Sequence, residues 1–175
     1  MPSTHAMTPA AGANDTGAAA PDPLDDGRLT TMGLLVETYA GLMAQMEPEM
    51  ERAALGRSEF DVLLRLARSP DAQLRMTDLA AQVAMSTSGL TRLVDRLVRD
   101  GLVERAACPT DRRGSFATLT VEGRKKIEAA IEPHLALIDQ WLIEPLEPEE
   151  LAAFAGALRK LRDRVRPGSV AGAHA

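Results

Sequence analysis

Hydroxyl and guanidinium side chains are concentrated in one short stretch of this 175-residue chain, at the start of a segment with helical periodicity. Short hydroxyl groups can bond a phosphate or the edge of a nucleic-acid base, and an arginine can bond O6 and N7 of guanine in the major groove. Arg92 is the best candidate for base recognition, although periodicity alone favours a solvated helix arginine. The candidate contact residues of this stretch are Ser86, Thr87, Ser88, Thr91, Arg92 and Arg96.

A second charged group, Asp111, Arg112 and Arg113, precedes Gly114 between two short runs of alternating apolar residues. The pattern predicts a loop between two strands, and such a loop is commonly just a solvated turn. An aspartate on a surface that contacts DNA repels phosphate, so it is useful there only if it orients a cation. The loop is therefore a candidate contact through its arginines.

An apolar stripe positions the polar face of the first stretch. On a helical wheel four apolar residues lie together, opposite the polar and cationic ones: Leu90, Leu93, Val94 and Leu97. The wheel predicts a helix over 87–100 that is capped by Ser86 and ended by Gly101. A shorter helix over 77–83, with Thr77 as its cap, precedes it after a tight turn.

The order of these elements resembles the MarR family of winged helix-turn-helix transcription regulators. Two stretches carry the resemblance, LTRLVDRLVRDGLVER at 90–105 and PTDRRGSFATLTVEGRK at 109–125. The first is similar to the family's recognition helix and first wing strand. The second is similar to the wing's Asp-x-Arg, its second strand and the Leu-Thr-x-x-Gly that begins the next helix. By element order the likeness covers about 28–166, and Cys108 departs from it where the family commonly has an acidic residue.

The resemblance implies a homodimeric regulator, more often a repressor than an activator, that binds a pseudo-palindromic operator in double-stranded DNA. The single cysteine and the absence of a membrane span or a secretory signal predict a cytoplasmic location. The recognition helix would lie in the major groove and the wing in the minor groove, which Arg113 would enter. Asp111 would orient either Arg113 or Arg96, and Arg112 would contact backbone phosphate. On this interpretation the two charged stretches form one DNA-binding surface.

The resemblance also implies a small effector, because relatives bind phenolic or other aromatic compounds between the dimer helices and the winged lobe. Four residues are candidates for lining such a site, although each is more typical of a core or a surface: Met43, Met46, His134 and Trp141. No effector contact is assigned from the sequence.

The rest of the chain is predicted to be helical. Apolar spacing predicts a helix over 28–46, with Pro48 marking a break or a new first turn, and a helix over 59–67 capped by Ser58. Pro133 should kink the long helix that begins after Thr120, or start it afresh. Pro148 fits the first turn of a last helix.

The fold class is therefore mainly α with a small β-wing, in which a winged helix-turn-helix lobe is combined with terminal helices that form a dimerisation domain. These helices are more apolar than one small domain needs, although they could instead complete a monomeric core. The expected divisions are a disordered tail at 1–26, a dimerisation part at 27–57, the DNA-binding lobe at 58–122, C-terminal dimerisation helices at 123–167 and a disordered tail at 168–175.

Charge is distributed unevenly along the chain. The net charge is −5, yet between 86 and 126 nine basic residues stand against five acidic ones, so this segment carries +4. Residues 127–158 hold seven acidic residues and no lysine or arginine. Positive charge is thus concentrated on the predicted contact surface, as binding to phosphates requires.

Several other classes of protein are disfavoured. The single cysteine excludes an intrachain disulfide, and no apolar run is long enough to predict a membrane span. With three histidines, two of them near the termini, neither a histidine metal site nor a catalytic triad is easily built, so no catalytic residue, metal or cofactor is expected. Two alternatives stay open: a winged helix that contacts only proteins, and a regulator that senses oxidation through Cys108, whose plainer interpretation is an inert small residue.

Overall fold

The computed structural model describes residues 22–108 and 111–167, without the side chains at 108 and 111–113. The described part is mainly helical with a small antiparallel sheet, as predicted. In chain order the elements are α1 (Gly27–Arg52), α2 (Arg57–Ala67), β1 (Gln73–Arg75), α3 (Met76–Gln82), α4 (Thr87–Arg99), β2 (Val103–Cys108), β3 (Asp111–Leu119), α5 (Val121–Ile138) and α6 (Pro148–Val165). Short 3₁₀ turns lie at Pro23–Asp25 and Pro70–Ala72, and a π-helical turn at Asp139–Ile143 follows α5.

The chain divides into two compact units, residues 1–38 and 39–175. The described part of the first unit holds the 3₁₀ turn Pro23–Asp25 and the first half of α1. Its apolar side chains are exposed, among them Leu29, Met32, Leu35 and Val36. These residues recur at helical spacing and leave one unit with an uncovered apolar surface.

The core of the second unit is aliphatic. Its fully buried large side chains come from five elements: Val62, Leu63 and Leu66 of α2, Leu79 of α3, Leu90, Leu93, Val94 and Leu97 of α4, Val103 of β2 and Ile127 of α5. Burial removes about 25 cal/mol of unfavourable hydration per Å² of apolar surface, so this shared core holds the helices and the hairpin in one arrangement.

The sheet has three strands in the order β1-β3-β2, with β3 at its centre. Both neighbours pair with β3 antiparallel; Leu74 lies opposite Ala117 and Arg105 opposite the same residue on the other side. The hairpin β2–β3, called the wing below, was predicted. The short strand β1 was not, because only its pairing with a distant segment makes it a strand.

The predicted helix break at Pro48 does not occur, because Pro48 lies inside α1, which continues to Arg52. Pro133 lies inside α5, so the helix does not start afresh there, and a kink at Pro133, the other expectation, stays a prediction. A proline in a helix removes one backbone hydrogen bond and crowds the carbonyl four residues earlier. In α1, Met46 and Met50 on either side of Pro48 are buried in the core, and this packing holds the helix together.

Two predicted caps are also wrong. Helix α2 begins after Gly56, whose N–H donates to Oε2 of Glu59 at 3.0 Å, so Ser58 lies inside the first turn. Helix α3 begins after Arg75, and Thr77 is inside it. In α2 the local bond between Gly56 and Glu59 begins the helix earlier than the serine signal does.

The C-terminal helices begin as predicted. Thr120 caps α5 by accepting the N–H of Gly123 at 2.9 Å, and Pro148 is in the first turn of α6. Along α6 the apolar residues Phe154, Leu158, Leu161 and Val165 are exposed. None of the helices in the described ranges is both long and apolar enough to cross a membrane.

The predicted disorder of the two ends falls mostly on residues 1–21 and 168–175, which lie outside the described residues. Within the described remainder of the predicted N-terminal tail, Pro23–Asp25 form a 3₁₀ turn, and Asp22 caps it by accepting the N–H of Leu24 at 2.9 Å. That part of the tail therefore has local structure.

Candidate nucleic-acid interface

Helix α4 presents a polar face because its opposite face is fully engaged in the core. Ser86 caps the helix, accepting the N–H of Gly89 at 3.1 Å, as predicted. The four residues of the predicted stripe are buried: Leu90, Leu93, Val94 and Leu97. On the other face Ser88, Arg92 and Arg99 are exposed, while Thr91 is half-buried. The helix can therefore offer hydroxyl and guanidinium donors without disturbing its packing.

The turn from α3 to α4 ends the first helix with an unusual residue. Ala84 has φ 55°, in the left-handed region, and the N–H of Met85 donates to the carbonyl of Ala80 at 3.1 Å. This is the Schellman pattern of a helix end, in which glycine is the usual left-handed residue. Ala54, with φ 50°, ends α1 in the same way. An alanine gives no stop signal in the sequence.

The other end of α4 is joined to the start of α5. Gly101, at φ 72°, ends α4, and its carbonyl accepts a hydrogen bond from Oγ1 of Thr120 at 2.8 Å. The N–H of Thr120 donates to the carbonyl of Leu102 at 3.1 Å. Gly123 lies against the same carbonyl. The Leu-Thr-x-x-Gly motif is therefore the contact by which α5 supports the C-terminal end of α4.

Two arginines near α4 are held by carboxylates. Nε of Arg96 lies 3.6 Å from Oε1 of Glu59, which connects α4 to the first turn of α2. Nη2 of Arg105, on β2, lies 3.3 Å from Oδ1 of Asp95 and also donates to the carbonyl of Thr91 at 3.4 Å. Arg105 thus links the first wing strand to α4, a role that sequence reasoning missed because its partners lie on another element.

The second predicted group lies in a strand and not in the predicted loop: Asp111, Arg112, Arg113 and Gly114 are the first residues of β3, because pairing with β2 extends that strand to Asp111. The pairing of β2 with β3 shifts register between Ala107 and Cys108, next to Asp111 at the start of β3. The side chains of Asp111, Arg112, Arg113 and Cys108 lie outside the described residues, so their predicted roles stay predictions. What is described is a hairpin whose second strand is paired on both sides and whose first is attached to α4 through Arg105.

A cavity of about 600 Å³ lies in the second unit. Its walls come from α1, α2, the α3–α4 turn and α5, together with Arg166 after α6. Three methionines and an aromatic ring provide much of its apolar lining: Met43, Met46, Met50 and Phe60. Of the four effector candidates three line this cavity and Trp141 does not. Methionine side chains adapt to irregular shapes, so this lining can accommodate small apolar groups of different shape.

Polar groups converge on the same cavity. Arg57 donates to the hydroxyl of Tyr39 and stands 5.3 Å from the centre of its ring. The ring of His134 lies 4.6 Å from that of Phe60, and burial lowers the pKa of His134, so the imidazole is neutral near pH 7. Two residues that line the cavity each have a buried side-chain atom without a hydrogen-bond partner within the described residues, Nδ1 of His134 and Oε1 of Gln82.

No group of three or more histidine, cysteine, aspartate or glutamate residues in the described ranges could hold a metal ion. The site therefore consists of an exposed cationic helix face, a wing and a separate cavity. The cationic helix face and the wing suit binding to an anionic polymer, and the cavity suits binding of a small molecule.

Comparison with known proteins gives one family. The family model described as MarR family matches residues 55–114, the segment from α2 to the wing. The chain is 30% identical to the HTH-type transcriptional regulator BilQ of Clostridium symbiosum, over 69% of this chain and 80% of that protein.

Two solved structures are also similar. The MarR family regulator Sco3205 of Streptomyces coelicolor, solved in complex with DNA, is 29% identical with a TM-score of 0.76, over 85% of this chain and 94% of that one. NadR in complex with 4-hydroxyphenylacetate is 27% identical with a TM-score of 0.61, over 75% of this chain and 91% of that one. Together with the recognition helix and wing, these likenesses establish that the chain belongs to the MarR family of DNA-binding transcription regulators.

Proposed function

We propose that this protein is a homodimeric repressor that binds a pseudo-palindromic operator, with α4 in the major groove and the wing in the minor groove. The observation that carries the proposal is the face of α4: Arg92 and Ser88 are exposed opposite a fully buried apolar stripe. Phosphate and guanine both accept hydrogen bonds from such donors. The DNA complex of the similar Sco3205 supports the same use of the fold. A dimer held on a promoter would block access of the polymerase.

The individual contacts follow from position. Ser86, Thr87 and Ser88 at the N-terminal end of α4, together with Thr91, bond phosphates or base edges, and Arg92 bonds guanine. On the wing Arg113 enters the minor groove, Arg112 contacts phosphate and Asp111 orients Arg113. Arg96 is half-exposed and paired with Glu59, so it contributes through its remaining donors.

The dimer is proposed from uncovered apolar surface and from the geometry of DNA. The first unit exposes apolar residues of α1, and the second unit exposes Phe154, Leu158, Leu161 and Val165 along α6. Contiguous exposed apolar surface marks an interface. A twofold axis would place two recognition helices about 34 Å apart, the spacing of successive major grooves on one face of the duplex. Residues 27–57 and 123–167 are thus assigned to dimerisation and residues 58–122 to DNA binding.

Duplex binding tests the proposal directly. Fragments selected from the source genome supply the operator, and a gel shift compares wild type with Arg92→Ala and Arg113→Ala. Both variants should lose most of their affinity. In Arg113→Ala the fall of log K with log salt should also become less steep, by about one counterion unit. Arg68→Ala, at the exposed C-terminal end of α2, is the matched control and should bind as wild type does. Wild-type affinity and slope in both test variants would reject the contacts, and a wild type that binds no fragment would reject the function.

The oligomeric state has its own test. Sedimentation should give a dimer, and Leu161→Glu should yield monomers with reduced operator affinity, because a charge is expensive to bury in an apolar interface. A monomeric wild type that still binds the operator tightly would contradict the dimer.

The effector is proposed to be a phenolic or other aromatic compound bound in the cavity of the second unit. The ring would lie among the methionines and Phe60, and a hydroxyl would donate to Oε1 of Gln82 or bond Nδ1 of His134. The 4-hydroxyphenylacetate complex of the similar NadR supports this class of compound. Calorimetry with that acid should detect binding, and Met43→Trp, which fills the cavity, should abolish it. Equal binding by wild type and Met43→Trp would place the effector elsewhere.

A further inference from the structure

The residue after α6 is hydrogen-bonded to the helix that precedes the recognition helix. Nη2 of Arg166 donates to the carbonyl of Ala81, 85 positions away, and lies 3.4 Å from the carbonyl of Gln82. Both carbonyls belong to the last turn of α3. One guanidinium therefore connects the end of the last helix to the helix-turn-helix.

The acceptors of Arg166 form the base of the α3–α4 turn. The carbonyl of Ala81 also accepts the N–H of Ala84, the left-handed residue of the turn, at 3.4 Å. The last carbonyls of a helix carry its partial negative charge and otherwise need solvent or a cap. A cation at these carbonyls stabilises the turn. Ser86, the N-cap of α4, follows two residues after Ala84.

Arg166 also lines the cavity, beside Gln82 and His134. A carboxylate in that space would compete with two neutral carbonyls for the guanidinium. The bonds from the guanidinium to the carbonyls are already charge-assisted, but a carboxylate adds a full opposite charge and can accept two parallel N–H bonds, so it would be the stronger acceptor where it can reach. The same side chain thus faces both the turn and the space where an effector would bind.

We propose that Arg166 is the positioning residue that holds the α3–α4 turn, and that an aromatic carboxylate in the cavity takes its guanidinium and loosens the turn. The inference rests on the proposed function, since it assigns the regulation of the same effector site. Loosening the turn frees α4 to reorient and lowers operator affinity.

Hydrogen exchange of the ligand-free protein tests the first half. In Arg166→Gln the amides of Val83, Ala84 and Met85 should exchange about five- to thirtyfold faster than in wild type, the factor that one or two hydrogen bonds of net ~1 kcal/mol each supply. Arg164→Gln is the matched control, because it removes the same charge from the same helix. Arg166→Lys, which keeps the charge, should exchange at an intermediate rate. Equal exchange in wild type and Arg166→Gln would overturn the positioning role.

The second half is tested with 4-hydroxyphenylacetate and its uncharged analogue 4-hydroxyphenylacetamide. The acid should accelerate exchange of the same three amides in wild type, the amide should not, and Arg166→Gln should not respond to the acid. A merely structural arginine would not give this difference between acid and amide. Acceleration by both compounds or by neither would overturn the competition. Neither exchange experiment contains DNA, so the operator-binding test separates failure of this inference from failure of the proposed function.

Discussion

Gly123, at the start of α5, lies so close to the carbonyl oxygen of Leu102 that a β-carbon built on it would stand 2.0 Å away. The side chain of Leu119 would be 2.8 Å from the same atom. Backbone cannot yield as a flexible side chain does, so the position requires glycine. This contact joins the C-terminal end of the recognition helix to the helix that follows the wing.

Gly123→Ala should therefore destabilise the protein by about 1–3 kcal/mol, the usual cost of overpacking. Urea unfolding at a fixed protein concentration measures the change. Gly41→Ala is the control: it lies in the same kind of element with nothing within 4 Å of the added atom, and should be neutral or stabilising. Equal stability of Gly123→Ala and wild type would mean that α5 can move away from the carbonyl of Leu102 at no cost in free energy.

Ala84→Gly should stabilise the fold. A left-handed conformation costs a residue with a β-carbon roughly 1–2 kcal/mol, and glycine avoids that cost. The glycine loses roughly 0.4–1 kcal/mol through the greater freedom of the unfolded chain, so the net gain is smaller. Thermal unfolding checks the sign, and Ala84→Val, with its branched β-carbon, should go the other way. A lower melting temperature for Ala84→Gly would contradict the strained turn.

The pair of Asp95 and Arg105 should matter more for DNA binding than for stability. Both side chains are partly exposed, so the pair contributes less than about 1 kcal/mol to folding. Asp95→Asn makes the DNA-facing side more positive, and simple attraction would then raise operator affinity. If the pair positions the wing, the operator affinity of Asp95→Asn falls instead. Fluorescence anisotropy shows whether the affinity rises or falls. Increased affinity would show that Arg105 contributes only its positive charge to DNA binding and does not position the wing.

Protonation of His134 should weaken the fold. Burial lowers its folded pKa, so the unfolded chain binds the proton more readily, and stability falls as pH drops through the unfolded value of about 6.5. The melting temperature should therefore decrease between about pH 7.5 and 5.5. His134→Gln should be less sensitive over that interval, and an identical pH profile in the variant would assign the loss to other groups.

Local signals determined how much of this molecule could be predicted. Helix α4 was placed within one residue, because a strong apolar period, a serine cap and a glycine end all agree. The wing was predicted from its alternating apolar residues and a family motif, and the same motif placed the start of α5, but the contact of Gly123 with Leu102 was not predicted. The wing-tip contacts of Asp111, Arg112 and Arg113 stay predictions.

Features that depend on distant residues were missed. Strand β1 has three residues and depends on pairing with β3, more than 30 positions later. The links of Arg105 to Asp95 and of Arg166 to Ala81 join different elements. The cavity is assembled from five parts of the chain, none of which carries a periodic signal for it. Packing also overrode the proline signal in α1, and the local bond between Gly56 and Glu59 overrode the serine signal in α2.

The prolines inside α1 and α5 have one more consequence. Each leaves its helix one hydrogen bond short, at Pro48 between two methionines that line the cavity and at Pro133 beside His134. Backbone breathing costs least where the ladder of bonds is already interrupted. Two of the helices that line the cavity thus lack one backbone hydrogen bond next to residues that form its walls, and local adjustment of the backbone breaks fewest bonds there.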